Sequence, residues 1–298
     1  MKVDFMEKNT TVSLSLDDEK ITKLKEFYKE NIYPNNNEYV STLIKLDNLT
    51  ITIYTSNKVV FQGKEAEYES SLWGEGKSQI WKTEKDHIGS DEVGTGDYFG
   101  PMCVCASFVT DKDIAWLNEL GVNDSKTLTD DKIIKIAPHL IKRIPYSQMS
   151  VDPVKYNTLI ESGYNQGKIK AMLHNQVIHN LREKMSKNNV LTVIDQFVTE
   201  GKYYEYIRYT KNIEKNITFE TKADSKYPAV AVSSIIARYS FLVKMTTMSK
   251  AIGKVIPKGA GDQVDKFGKE IVNVHGEEKL KELAKWHFAN TKKILYEN

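Results

Sequence analysis

Ile88-Gly89-Ser90-Asp91-Glu92-Val93-Gly94-Thr95-Gly96-Asp97-Tyr98-Phe99-Gly100-Pro101 places two adjacent carboxylates between glycines. Gly94, Gly96 and Gly100 let the backbone bend and approach a ligand closely. A strand-like apolar run, residues 102–109, follows at once. Further along, Val190-Leu191-Thr192-Val193-Ile194 is a short β-branched run that ends in Asp195. Another short strand, residues 216–219, precedes Asp224. Helical patterns are expected around 129–136 and 165–185. Two more are expected over 228–244, rich in small and apolar residues, and over the more polar 276–288. Strands alternating with helices imply an α/β domain that begins near His87 and runs to the end of the chain, residues 87–298.

Upstream, residues 1–65 read as a small α+β unit. Ser15 is the expected N-cap of a helix carrying acids in its first turn, at Asp17 and Asp18. Three strand-like runs follow over 39–46, 49–55 and 58–62, joined by tight turns at Asp47-Asn48 and Ser56-Asn57. Residues 66–86 are polar, contain Gly74 and Gly76, show no sustained period and read as a linker.

Each acid has a plain reading beside a functional one. Asp91 and Glu92 suit a loop of solvated acids as well as an acidic site. A dinucleotide loop fits less well, because the glycines are spaced GxGxxxG; a phosphate loop lacks its GK[ST]. Asp195 stands at a strand's carboxyl end, where ligands gather in open α/β sheets, although a solvated acid can equally end a strand. Asp224 lies just before a helix, where capping is the ordinary duty. If several of these acids converge, they suit Mg²⁺ or Mn²⁺, which take carboxylate and water oxygens. Two such ions about 4 Å apart activate a water and stabilise a leaving oxygen in phosphodiester hydrolysis. The histidines show no HExxH and no Cys/His ligand spacing, which argues against zinc.

The chain has 298 residues, enough for roughly two domains. The N-terminus lacks a signal peptide's apolar stretch, so a cytoplasmic location is expected. No apolar run approaches the ~20 residues of a membrane span, so no membrane partner is expected. Nothing calls for an obligate oligomer, and a monomer is expected. The only cysteines, Cys103 and Cys105, are spaced as same-face strand residues and read as buried reduced thiols. Residues 1–84 carry 11 Lys and Arg against 14 Asp and Glu, and the rest carries 31 against 26. The second part is therefore mildly basic despite its candidate acids, which suits a polyanion as well as an ordinary mixed surface.

The segment from His87 to Pro101 resembles the signature of the type 2 ribonucleases H, in the ribonuclease HIII branch. The resemblance continues through Asn123-Asp124-Ser125-Lys126-Thr127-Leu128, Tyr164-Asn165 and Ala171-Met172-Leu173-His174-Asn175. It then takes in Asp195, Lys222-Ala223-Asp224-Ser225-Lys226, Ala231 to Arg238 and Trp286-His287-Phe288-Ala289-Asn290. It implies a ribonuclease H-like mixed sheet flanked by helices, preceded by a small domain resembling half of the TATA-binding protein that helps hold substrate. The implied substrate is an RNA–DNA hybrid duplex, cut in its RNA strand with Mg²⁺ or Mn²⁺. Asp91, Glu92 and Asp195 are the implied metal ligands. The fourth acid falls on Asp224, with Glu220 the nearby alternative. Gly94, Thr95, Gly96, Ser125 and Lys126 are the implied substrate contacts. In the ribonuclease HII relatives an arginine stands between the two glycines and helps read the junction between a ribonucleotide and DNA. Thr95 cannot supply that fork, which implies cleavage within longer hybrids and weak action on a single embedded ribonucleotide.

Overall fold

The computed structural model describes residues 9–73, 81–83, 85–122, 128–186 and 189–297. The chain divides into two compact units, Met1–Ser78 and Gln79–Asn298.

The first unit runs β1 (Thr10–Ser15), α1 (Asp18–Phe27), β2 (Ile32–Tyr33), β3 (Val40–Leu46), β4 (Leu49–Tyr54), β5 (Lys58–Gly63) and α2 (Ala66–Trp73). Its strands form one antiparallel sheet in the order β1-β5-β4-β3-β2. The β-branched and apolar alternation of β4 buries Leu49, Ile51 and Ile53 on one face. They pack with Ile21 and Leu24 of α1 and with Phe61. Each such side chain contributes roughly 1.5–3 kcal/mol on full burial. The three expected strands are present, and β1 is an additional one pairing with β5. Asp17, rather than Ser15, caps α1: its carboxylate accepts from the Lys20 amide at 2.8 Å, and Ser15 is spent as the last residue of β1. The stretch read as linker begins with α2, whose Ala66 is buried in this unit's core.

The second unit runs β6 (His87–Val93), β7 (Met102–Val109), α3 (Ile114–Glu119), α4 (Asp130–Arg143), β8 (Tyr146–Val151), α5 (Pro153–Glu161), α6 (Gln166–Met185), β9 (Leu191–Asp195), α7 (Glu200–Ile207), β10 (Ile217–Glu220), α8 (Pro228–Ile252), α9 (Asp262–His275), α10 (Glu277–Leu283) and α11 (Ala289–Tyr296). The sheet order is β10-β9-β6-β7-β8. β10, β9 and β6 run parallel, while β7 pairs antiparallel with both β6 and β8, so the sheet is mixed.

Helices cover both faces of this sheet, and strand alternation splits the side chains into two cores. Cys103, Cys105 and Val109 pack with α4 and α8 on one face. Ile88, Val104 and Ala106 pack with α5, α6 and α7 on the other. Cys103 and Cys105 are buried free thiols on the same face. α8 is long and apolar enough to span a membrane by length and composition alone, but its apolar residues are largely spent on the sheet. It lies against β6 so closely that a Cβ on Gly89 would stand 2.1 Å from the Val230 amide nitrogen.

The helix expected at 129–136 runs on through Pro138 to Arg143. The helix expected over 276–288 stops at Leu283 as α10; Ala284 bridges to Phe99, residues 284–288 are not helical, and α11 starts beyond the expected range at Ala289.

Candidate metal centre

β6 and β9 pair in parallel with Ser90 opposite Ile194, so the next step along each strand brings Asp91 beside Asp195. β9 and β10 continue the row, with Asp195 opposite Glu220. The carboxyl ends of three parallel strands therefore present acids at one edge of the sheet. Alternation then separates the adjacent pair. Asp91 shares the face of Gly89, toward α8, where the Ser234 side chain hydrogen-bonds it. Glu92 shares the face of Ile88 and Ser90, toward α6.

Asp91, Glu92, Asp195 and Asp224 line one cavity of about 290 Å³, together with Ser234 and Arg238. Asp91 is 8% exposed and Asp224 2%. Burial pushes the Asp91 carboxyl well above the usual range, and the negative charges of Glu92 and Asp195 push it further against the Ser234 hydrogen bond. Glu92 goes the other way. Burial alone would raise it, but hydrogen bonds and positive charge from His174 and Lys170 outweigh burial and lower it. Asp195 Oδ1 accepts from the Ala223 amide at 2.8 Å, which ties the end of β9 to the turn carrying Asp224.

That turn bears on the reading of Asp224 as a helix cap. Asp224 lies in a single 3₁₀ turn, Ala223–Ser225, entered through Lys222 in left-handed conformation, φ 53°. The N-cap of α8 is Tyr227, so Asp224 is not that helix's cap. Glu220, the alternative fourth acid, does not line the cavity. Lys226 at 2.5 Å and Lys82 at 2.6 Å hold it, and these hydrogen bonds lower its carboxyl to about 2.

The glycine turn stands beside this centre. Gly94 has φ 92°, and a Cβ there would meet the Pro101 carbonyl at 2.2 Å, so the fold itself requires this glycine. A Cβ on Gly96 would meet nothing within 4 Å. Gln166 Nε2 donates to the Thr95 carbonyl at 2.9 Å and pins the turn to the start of α6. Ser125 and Lys126 lie outside the described residues. The segment that follows them is anchored by Arg238, which donates to the Leu128 carbonyl at 2.9 Å and to Asp130 Oδ1 at 2.7 Å.

Sequence reasoning did not select Gln166, Lys170, His174, Ser234 or Arg238. Lys170 and His174 are four apart on α6 and so share a helix face, the one signal that could have paired them. Lys170 Nζ donates to Glu92 Oε1 at 2.6 Å, and His174 Nε2 is 2.8 Å from Oε2.

The donors fit a hard divalent cation in kind, since four carboxylates border one cavity. Asp91 in particular is a buried acid whose ionisation a cation would restore. Among the described residues, no three such side chains converge closely enough to hold one ion as they stand. Glu92 has both its oxygens engaged by Lys170 and His174.

The family model for Ribonuclease HII matches residues 88–291, and that for a domain of unknown function, DUF3378, matches residues 11–86. The chain is 43% identical over 285 residues to ribonuclease HIII of Lactococcus lactis subsp. lactis (strain IL1403), covering 95% of this chain and 98% of the relative. It is also 43% identical over 292 residues to ribonuclease HIII of Bacillus pumilus (strain SAFR-032), covering 92% and 95%. Among solved structures, Bst-RNase HIII in complex with Mn²⁺ matches with a TM-score of 0.70 at 36% identity, over 96% of this chain and 98% of that one.

Proposed function

The chain belongs to the ribonuclease HIII family, and from that membership we propose that it is an endonuclease that hydrolyses the RNA strand of RNA–DNA hybrids, leaving 5′-phosphate and 3′-hydroxyl ends. The observation that carries the reading for this chain is the gathering of Asp91, Glu92, Asp195 and Asp224 around one cavity. A protein that only bound hybrids would gain nothing from buried negative charge facing phosphate.

These four residues would hold Mg²⁺ or Mn²⁺. When bound, such ions supply an activated water and neutralise charge on the leaving oxygen. The protein's own part is orientation and exclusion. Ser234 fixes Asp91 on the α8 side, and the Ala223 amide fixes Asp195. Gly94 and Gly96 leave backbone N–H groups able to approach ribose and phosphate, with the Thr95 hydroxyl between them. Selection of the hybrid would read the 2′-OH, which distinguishes RNA from DNA. Ser125 and Lys126 would contact phosphate. The N-terminal unit would grip the same substrate through the less buried face of its sheet, where the pairing register sets Tyr33, Leu43, Thr52 and Val60 in a row. A monomer in a reducing, cytoplasmic setting suits the buried free thiols.

The test is cleavage of a labelled RNA–DNA hybrid in Mg²⁺ and in Mn²⁺. Asp91→Asn and Asp224→Asn should each lower the rate by roughly 100-fold or more while hybrid binding persists. Glu220→Gln should cut nearly as well as wild type. Retained activity in Asp91→Asn would sink the acidic centre, and loss in Glu220→Gln would transfer the fourth role to it. A duplex with one embedded ribonucleotide should be cut weakly; efficient cutting would assign junction cleavage instead.

A further inference from the structure

Glu92 is gripped from α6 by a built arrangement. Lys170 Nζ stands 2.6 Å from Oε1, and the side chains of the pair are only 13% and 11% exposed. On the other oxygen, Nε2–H of the fully buried His174 donates at 2.8 Å. Nδ1 of the same ring is 2.7 Å from Ser90 Oγ, which itself donates to the Cys105 carbonyl at 2.8 Å. The histidine is thus oriented by β6 and β7 rather than by solvent. Phe197, two residues past Asp195, completes the cluster: the His174 ring stacks on it with centroids 5.3 Å apart, and Lys170 Nζ lies 4.1 Å from its centroid.

A cation this close to a carboxylate oxygen, in a site with little water, interacts strongly. We propose that Lys170 is an internal counter-cation that competes with the divalent ion for Glu92 and so sets the metal concentration at which the centre loads, with His174 as the positioning residue that keeps the Glu92 carboxylate at the cavity's rim. This rests on the reading of the acids as a metal centre. Lys170 offsets the repulsion among Asp91, Glu92 and Asp195 in the metal-free protein. It then opposes a second positive charge on the same carboxylate.

The test is direct titration of the full-length protein with Mn²⁺, followed by the loss of the free-ion electron paramagnetic resonance signal and by calorimetry. Lys170→Met keeps an unbranched aliphatic side chain at this position and removes the charge. It should bind Mn²⁺ at least several-fold more tightly than wild type, and Lys170→Arg should restore wild-type affinity. Unchanged or weaker binding in a folded Lys170→Met overturns the proposal, as does tightening by Lys170→Arg equal to that by Lys170→Met. His174→Gln keeps a side-chain N–H for Glu92 and should change Mn²⁺ affinity by less than Lys170→Met does; a gain equal to or larger than that of Lys170→Met would make the histidine, not the lysine, the competing cation and overturn the proposal. Asp91→Asn separates the two readings. If it binds Mn²⁺ as wild type does, the metal centre itself is wrong. If it loses binding while Lys170→Met shows no gain, only the competition is wrong.

Discussion

At the scale of single residues, the glycine turn divides into one position demanded by the fold and one that is not. Gly94 has positive φ and backs onto the Pro101 carbonyl, so a side chain there meets both backbone strain and a clash. Gly94→Ala should lower stability by at least ~1–2 kcal/mol, seen as a lower midpoint in thermal unfolding. Gly96 has open space around its Cβ direction, so Gly96→Ala should stay within about 0.5 kcal/mol of wild type. It should nevertheless weaken hybrid binding, because on the proposed reading a Cβ there would stand in the way of the substrate backbone. Equal binding by Gly96→Ala, measured on catalytically silent protein, would leave that glycine without a substrate role. The same scale shows why the acids were legible and their partners were not. Asp195 ends a β-branched run that composition reveals, and Asp91 and Glu92 stand out as an acidic pair among glycines, although the strand that carries them, β6, was not legible. Lys170 and His174 become neighbours of Glu92 only through packing, across 78 and 82 residues of sequence.

At the scale of elements, the loop after β6 is held by the segment linking α10 to α11. Tyr98 and Gly100 exchange backbone hydrogen bonds with Lys285 and Leu283, at 2.8 Å and 3.0 Å. The fully buried Lys285 then donates from Nζ to the Asp97 and Gly100 carbonyls, both at 2.7 Å. Burial lowers its ammonium from an ordinary 10.5 to about 8, against the opposing charge of Asp97. Between these two values the unfolded chain binds the extra proton, so stability should rise with pH from about 8 upward, and the penalty is present in full below that. Across the whole window the effect is on the order of 3 kcal/mol. Lys285→Met should lose this slope in denaturant unfolding measured from pH 7 to 10. An unchanged slope would mean that the lysine titrates normally in the fold. This strap was invisible in the sequence, where 276–288 shows one polar helical pattern. The break at Ala284 comes from a bridge to Phe99, far away in the chain. Helix α6, by contrast, was readable nearly to its ends, because Asn165 caps it locally by accepting from the Lys168 amide.

At the scale of the whole molecule, the two units have separate hydrophobic cores, one built on α1 and the first sheet, the other on the two faces of the second. A chain so divided can lose one unit without exposing the other's core. The four cavity acids, the Glu92 grip and the loop strap all belong to the second unit. A fragment of residues 79–298, which keeps Trp81 in the second unit's core, should therefore fold cooperatively and retain cleavage at saturating hybrid. The first unit carries net negative charge in sequence, so the substrate grip proposed for it would have to come from local chemistry, such as Lys45, Lys58 and Lys64, rather than from its overall field. Removing it should raise the KM for hybrid by about 10-fold or more, since a second linked contact raises the effective concentration of substrate at the first. Little change in kcat is expected. The fragment and the full chain should also differ in salt dependence, the full chain losing affinity more steeply as phosphate contacts are screened. Equal KM values and equal salt slopes would show that the N-terminal unit does not touch the hybrid, and would leave recognition to the glycine turn and the segment before α4 alone.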